Sequence, residues 1–190
     1  MNDYLKQLHQ KILEHQQRVE GNYPQGMQCK NGCSQCCYVS LSVFNVEAQL
    51  IKDWFNALKE SEKEALKEKW LTPAQVKENF FGEPRESCPF LVNESCSIYE
   101  VRPIICRTQG LPLKFVLEEE VAVDACPLNF EDTELELGDC LDLDKLNLIL
   151  SSLQIKDGSI ERISLKELKE QLSRNKKGED FSPRPSFEKS

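Results

Sequence analysis

The chain has 190 residues, 24 basic against 32 acidic side chains for a net charge of −8, a mean hydropathy of −0.50 and 39% hydrophobic residues. That length is about one domain's worth, the composition excludes a membrane protein, and a pI near 5.0 argues against phosphate-backbone binding. Eight glycines and nine prolines exclude a fibrous chain, and the count that stands out is nine cysteines against two histidines and two methionines.

Nine cysteines are about 5% of the chain, below the roughly 8–10% of a disulfide scaffold, and the number is odd. The opening stretch from Met1 to Gln10 lacks a basic region followed by an apolar run, so no signal peptide is expected and the cytoplasm is the expected location. No apolar run approaches the roughly 20 residues of a membrane helix. In a compartment that keeps thiols reduced, clustered cysteines point to metal binding or catalysis.

Leu5, Leu8, Ile12 and Val19 recur at helical spacing and predict an amphipathic helix over residues 3–20, with a linker to residue 26. His9 and His15, six apart, point about 120° away from each other on such a helix, so they are expected at the surface and not as a paired ligand site. Gly21 to Gly26 breaks the helix and leads into Cys29-Lys30-Asn31-Gly32-Cys33-Ser34-Gln35-Cys36-Cys37. This C-x3-C-x2-C-C block suits zinc or an iron–sulfur cluster better than a hard cation. The glycine before Cys33 favours a loop. Adjacent Cys36 and Cys37 are expected to diverge, one ligating and the other packing or reaching a second metal.

Alternation of Val39, Leu41 and Val43 with serines predicts a short extended piece. A helical insert is expected over about 46–80, with Asn45 capping its first helix and with Ser61/Glu64 and Thr72-Pro73/Gln75 opening two shorter ones. The second block, Cys88 to Cys106, reads as a hairpin turning at Asn93-Glu94. Residues 114–117 and 121–123 form a second hairpin that delivers the chain to Cys126-Pro127. Residues 129–145 carry seven acidic side chains and one lysine and lead into a closing helix. Cys140 sits at the edge of that apolar run and reads as core. A helical extension is expected over 154–174 and a disordered tail over 175–190.

The first block, followed by Cys88-Pro89-Phe90-Leu91, Cys96-Ser97-Ile98-Tyr99-Glu100-Val101-Arg102-Pro103 and Cys106-Arg107, resembles the bacterial YkgJ-like cysteine-cluster family, a CxxCxxCC-type domain, over roughly residues 27–128. The resemblance implies one metal-chelating domain, for zinc or iron or with an Fe–S cluster; taken on through the closing helix, the domain is expected over 27–153. It places the matching cysteines at Cys29, Cys33, Cys36, Cys37, Cys88, Cys96 and Cys106, with Cys126 in a looser element. The same signature occurs in flagellin lysine N-methylases, which brings in a protein-modification role by resemblance alone; this chain is shorter than those enzymes.

The expected architecture is therefore α+β, mainly α-helical, a single domain with small β-hairpins and a cysteine-rich metal centre. The leading function is an intracellular metal-binding protein with a cysteine-ligated [4Fe–4S] cluster, redox or protein-modification related. The alternative is a structural Zn2+ module serving a protein partner without catalysis. A thiolate-bound centre carries about −2 overall and asks for donors, for which Arg102, Arg107 and Lys30 are placed, with Tyr99 as a proton donor or a buried ring. No G-x-G-x-x-G, P-loop or H-E-x-x-H is present, so an enzyme is left open, and neither a nucleic acid nor a membrane is expected as partner.

Overall fold

The computed structural model describes residues 2–30, 32–80, 82–155 and 161–174. The described residues form six helices and nine short strands, in chain order α1 (Asn2–Asn22), β1 (Ser42–Phe44), α2 (Asn45–Ala57), α3 (Glu60–Trp70), β2 (Val76–Glu78), β3 (Pro84–Glu86), β4 (Leu91–Val92), β5 (Ser95–Cys96), α4 (Ile104–Thr108), β6 (Leu113–Leu117), β7 (Glu120–Asp124), β8 (Leu141–Asp142), α5 (Leu143–Ile155), β9 (Arg162–Ser164) and α6 (Leu165–Ser173). The α+β class expected from sequence is the class observed.

Two apolar clusters share α2. One face of that helix, Val46 and Leu50, meets Leu5, Ile12 and Val19 of α1, Ile104 of α4, and Leu146, Leu150 and Leu153 of α5. Its other face, Ala48, Ile51 and Phe55, meets Trp70, Phe90, Ile98 and the α6 leucines Leu165, Leu168 and Leu172. A helix apolar on two sides is what a central element needs. Burying each such side chain contributes about 1.5–3 kcal/mol, so both clusters draw much of their stability from α2.

Trp70 locks the second cluster. Its ring stacks on Phe55 (5.4 Å between centroids) and meets Phe90 edge-on (5.3 Å), while its Nε1 donates to Ser97 Oγ at 2.8 Å. Ser97 in turn donates to the Phe90 carbonyl at 2.8 Å. The β4–β5 hairpin is thereby fixed to the core rather than left as a mobile ribbon.

Both predicted hairpins form, and their turns require left-handed backbone: Asn93 and Glu94 have φ of 49° and 59°, Glu118 and Glu119 of 48° and 70°. Primed turns match the strand twist, which explains the two-residue loops. Three expectations are corrected. The stretch 46–80 is helical only to Trp70; Thr72-Pro73 opens no helix, and Val76–Glu78 instead pairs with Pro84–Glu86. Helix α2 starts one residue earlier than an Asn45 cap implies, because Glu47 Oε2 accepts the Phe44 amide at 3.2 Å, and α3 is capped at Lys59, whose amide donates to Glu62 at 2.8 Å, rather than at Ser61. In the C-terminal stretch, β9 pairs with β1 (Val43 opposite Ile163), and Ser164 caps α6 by accepting the Glu167 amide at 3.1 Å. The expected tail, 175–190, lies outside the described residues.

Candidate metal centre

A cavity of about 600 Å3 opens between the first cysteine block, the β4–β5 hairpin, α4 and the segment after β7. Cys29, Cys33, Cys36, Cys37, Cys88, Cys96, Cys106 and Cys126 all line it. The structure thus brings together every sequence-predicted cysteine. Cys140 does not line it; 5% exposed, it packs in the acidic segment with its Sγ 3.5 Å from the Glu136 carbonyl.

Local structure explains each placement. Cys29, Lys30 and residues 32–34 lie in loop, with Gly32 at φ +90°, and Gln35–Cys37 make a single 3-10 turn. The Cys88 amide donates to the Cys37 carbonyl at 2.7 Å, a backbone bond that joins the two blocks directly. Cys96 sits on β5 opposite Leu91. Cys106 rides on α4, whose first amide, Ile104, donates to Glu47 Oε1 at 2.8 Å. Glu47 is 4% exposed, and burial pushes its carboxyl up while the Ile104 and Phe44 amides oppose the shift.

The far end is built by Asn129 and Gly110. Asn129, 5% exposed, donates from Nδ2 to the Gly110 carbonyl at 2.7 Å and to Cys29 Sγ at 3.3 Å. Its Oδ1 accepts the Gln28 amide at 2.9 Å. Gly110 has φ +90°, and a Cβ there would stand 2.6 Å from Cys29 Sγ, so both conformation and space demand glycine. Sequence reasoning missed Asn129, Gly110 and Glu47. For Glu47 a signal existed, a carboxylate between Val46 and Ala48 on a strongly apolar helix; an isolated asparagine in a loop carries none.

Cys36 and Cys37 do not diverge as expected; their thiols contact each other. The hydrogen bond from Cys37 holds the Cys36 pKa down to about 7, and the same bond pushes Cys37 up. Burial pushes Cys88 up to about 11 and, with the charges of Cys88 and Cys96, raises Cys106 further. Desolvated thiols of this kind ionise when a cation takes the proton's place. Among the described residues no three His, Cys, Asp or Glu side chains stand close enough to share one ion; the thiols line the cavity without closing on a common point.

Arg102, Arg107, Lys30 and Tyr99 line the same cavity. Arg107 ties the loop, donating from Nε to the Arg102 carbonyl at 3.0 Å and from Nη2 to the Glu100 carbonyl. Arg102 instead lays its guanidinium 3.7 Å over the Tyr99 ring, with Nε and Nη1 buried and making no hydrogen bond. Tyr99 is 61% exposed, which corrects the expectation of a buried ring. His9 is half-buried rather than at the surface; burial and then the charges of Arg107 and Arg102 pull its pKa down to about 4. His15 is also half-buried. Two guanidinium groups crowded with donors to spare beside eight thiols fit a negatively charged thiolate centre, so the residues present suit zinc or iron held by sulfur.

The sequence profile of a family named CxxCxxCC, described as "Putative zinc- or iron-chelating domain", matches residues 28–127. The chain belongs to that family. As a CxxCxxCC protein it is a metal-binding chain, for zinc or iron. Its first spacing carries one residue more than the family's name spells out, which the left-handed Gly32 accommodates. No curated protein matches the chain, and no solved structure does. No helix among the described residues is long and apolar enough to cross a membrane.

Proposed function

We propose that this CxxCxxCC protein holds an iron–sulfur cluster, of the [4Fe–4S] type, on thiolates drawn from both cysteine blocks, in the reducing environment of the cytoplasm. The observation that carries the reading is the convergence of eight thiols from four chain segments on one cavity of about 600 Å3 with Arg102 and Arg107 at its wall. Thiols spread around such a space suit a polynuclear core better than a single ion, whose four sulfurs must lie about 2.3 Å from one point.

When bound, such a cluster supplies one-electron chemistry. The chain's own residues do the rest. Arg102 brings a charge and unused N–H donors to the thiolate side, Arg107 fixes the loop that carries Arg102, and the exposed Tyr99 ring supports the guanidinium from outside. These groups set a potential and hold an anion, which supports a redox role; the protein-modification role rests on the resemblance alone.

Anaerobic purification with iron, zinc and acid-labile sulfide analysis tests the reading. The expected result is brown protein whose visible absorption bleaches on reduction. Colourless protein with stoichiometric zinc and no sulfide overturns it in favour of a structural zinc module.

A further inference from the structure

The three-stranded sheet runs in the order β7, β6, β8, which leaves β7 at an edge. Strand β6 pairs with β7 along its whole length but with β8 only at Leu113 and Lys114. Past the end of β8 the Val116 amide donates to Asp144 Oδ2 at 2.9 Å, so that side of β6 is satisfied. The same bond fixes the register of the hairpin. The Val116 N–H points away from β7, and residues opposite one another in an antiparallel ladder either both face inward or both face outward. Val121, opposite Val116, and Val123, opposite Lys114, therefore turn their N–H and C=O groups away from β6. Among the described residues no hydrogen bond reaches those groups.

The side chains at this edge are open as well. Val116, Val121 and Val123 share one face of the hairpin and are 63%, 59% and 42% exposed; Glu120, Ala122 and Asp124 point to the other face. The strand contains no lysine, proline or bulge, the devices that commonly blunt an edge. Glu118 and Glu119 in the turn, with Glu120 and Asp124, surround it with four exposed carboxylates, none ion-paired among the described residues. Lys114, on the valine face, donates instead to the Leu137 carbonyl at 2.9 Å.

We propose that the open edge of β7 docks an extended segment of a partner protein that reads, in succession, basic, apolar, any, apolar, basic. The segment adds a strand to the sheet. Backbone groups of Val121 and Val123 supply the new ladder, the partner's apolar side chains extend the valine stripe, and its basic ones meet Glu120 and Asp124. A second copy of this chain fits worse. Two β7 strands paired through the same backbone groups set Val121 against Val123 but also Glu120 against Asp124, twice, and like charges directly opposite repel; a net charge of −8 on each copy adds to the repulsion. No residue of β6 or β7 lines the cysteine cavity, so the docking edge stands apart from the candidate metal centre.

Anaerobic titration of labelled peptides with the full chain, read by fluorescence anisotropy, tests the proposal. The probes are Lys-Val-Thr-Val-Lys and Glu-Val-Thr-Val-Glu, each between glycine–serine flanks. The lysine peptide is expected to bind about ten-fold more tightly or better, because two cross-strand charge pairs change sign between the probes. Val123→Pro removes only a free N–H and keeps every bond to β6, so it is expected to abolish binding at the parental melting temperature. Glu120→Lys/Asp124→Lys, which leaves the backbone groups untouched, is expected to reverse the preference between the peptides. No binding, equal affinity for the two peptides, or parental binding by Val123→Pro overturns the proposal. Self-association of the parent that Val123→Pro removes overturns it in favour of a second copy, and peptide binding that appears only in a chain ending at Arg174 overturns it in favour of the chain's own C-terminal residues.

Discussion

Replacing Asn129 separates what this residue does for the fold from what it does for Cys29. Its amide makes four side-chain hydrogen bonds, donating at 2.7 and 3.3 Å and accepting at 2.9 and 3.9 Å, while only 5% exposed. Asn129→Asp preserves the shape and the acceptor for Gln28 but removes both donated bonds, leaving the Gly110 carbonyl facing an oxygen. Losing a buried bond and stranding its partner costs about 2–3 kcal/mol, and Asn129→Ala, which strands the same carbonyl, costs a similar amount in metal-free protein. Burial raises the Cys29 pKa, so in metal-free protein at neutral pH it is a thiol and adds no charge repulsion. Once Cys29 is a metal-bound thiolate, a carboxylate at the 3.3 Å distance of the present contact opposes it by at most about 5 kcal/mol, taking an effective dielectric of about 20. Anaerobic urea denaturation of metal-free protein should therefore show both variants shifted together, whereas metal competition against a chelator should show Asn129→Asp weaker than Asn129→Ala by ten-fold or more. Equal metal retention by the two variants, or a parental denaturation midpoint for both, refutes the reasoning.

Removing metal with a chelator should lower the melting temperature and weaken near-UV dichroism, because binding energy shared by separate segments is folding energy; unchanged values in the metal-free protein contradict this. Cys88→Ser, Cys96→Ser and Cys106→Ser should each reduce metal content sharply, whereas Cys140→Ser should leave it intact, and equal loss would misplace the ligand boundary. Arg102→Lys keeps the charge but loses the planar stack 3.7 Å over Tyr99, worth about 0.5–2 kcal/mol, so metal should be held less firmly; parental metal content and melting temperature in both Arg102→Lys and Arg102→Ala would make it a solvated charge. Cys36, with its pKa lowered to about 7, should be the first thiol alkylated in metal-free protein, with a rate half-maximal near pH 7. The sign of its linkage follows: its ionisation contributes stability fully present above the ordinary thiol value of 9.0 and lost as pH falls through about 7. A rate midpoint near 9 rules out the Cys37 hydrogen bond as its cause.

What the sequence made legible is what local chemistry decides. The C-x3-C-x2-C-C block needs a loop at Gly32 and has one; Asn93-Glu94 and Glu118-Glu119 sit where polar residues tolerate left-handed backbone, and both turn. Thr72-Pro73-x-Gln75 satisfies a helix-start signature just as well, yet Val76 pairs with Glu86 because the chain returns beside it. Three-residue strands such as β1 and β9 carry too few residues for a period, and Ser42 finds Ser164 only after both flank α2. The cysteines could be picked out by type. Asn129 and Gly110 could not, because their roles exist only once Cys29 is folded against them.

Central placement of α2 makes the proposed metal centre a link between two cores. Cys88 and Cys96 are anchored to the cluster that contains Phe55 and Trp70; Cys106 is carried on α4, whose Ile104 belongs to the cluster with Leu5 and Leu146. Within the protein these halves meet on α2, whose two faces belong to the two clusters. In the proposed centre, thiolates drawn from both halves add a second connection, one that exists only when metal is bound. Loss of metal from Cys88, Cys96 and Cys106 is therefore expected to loosen one half against the other.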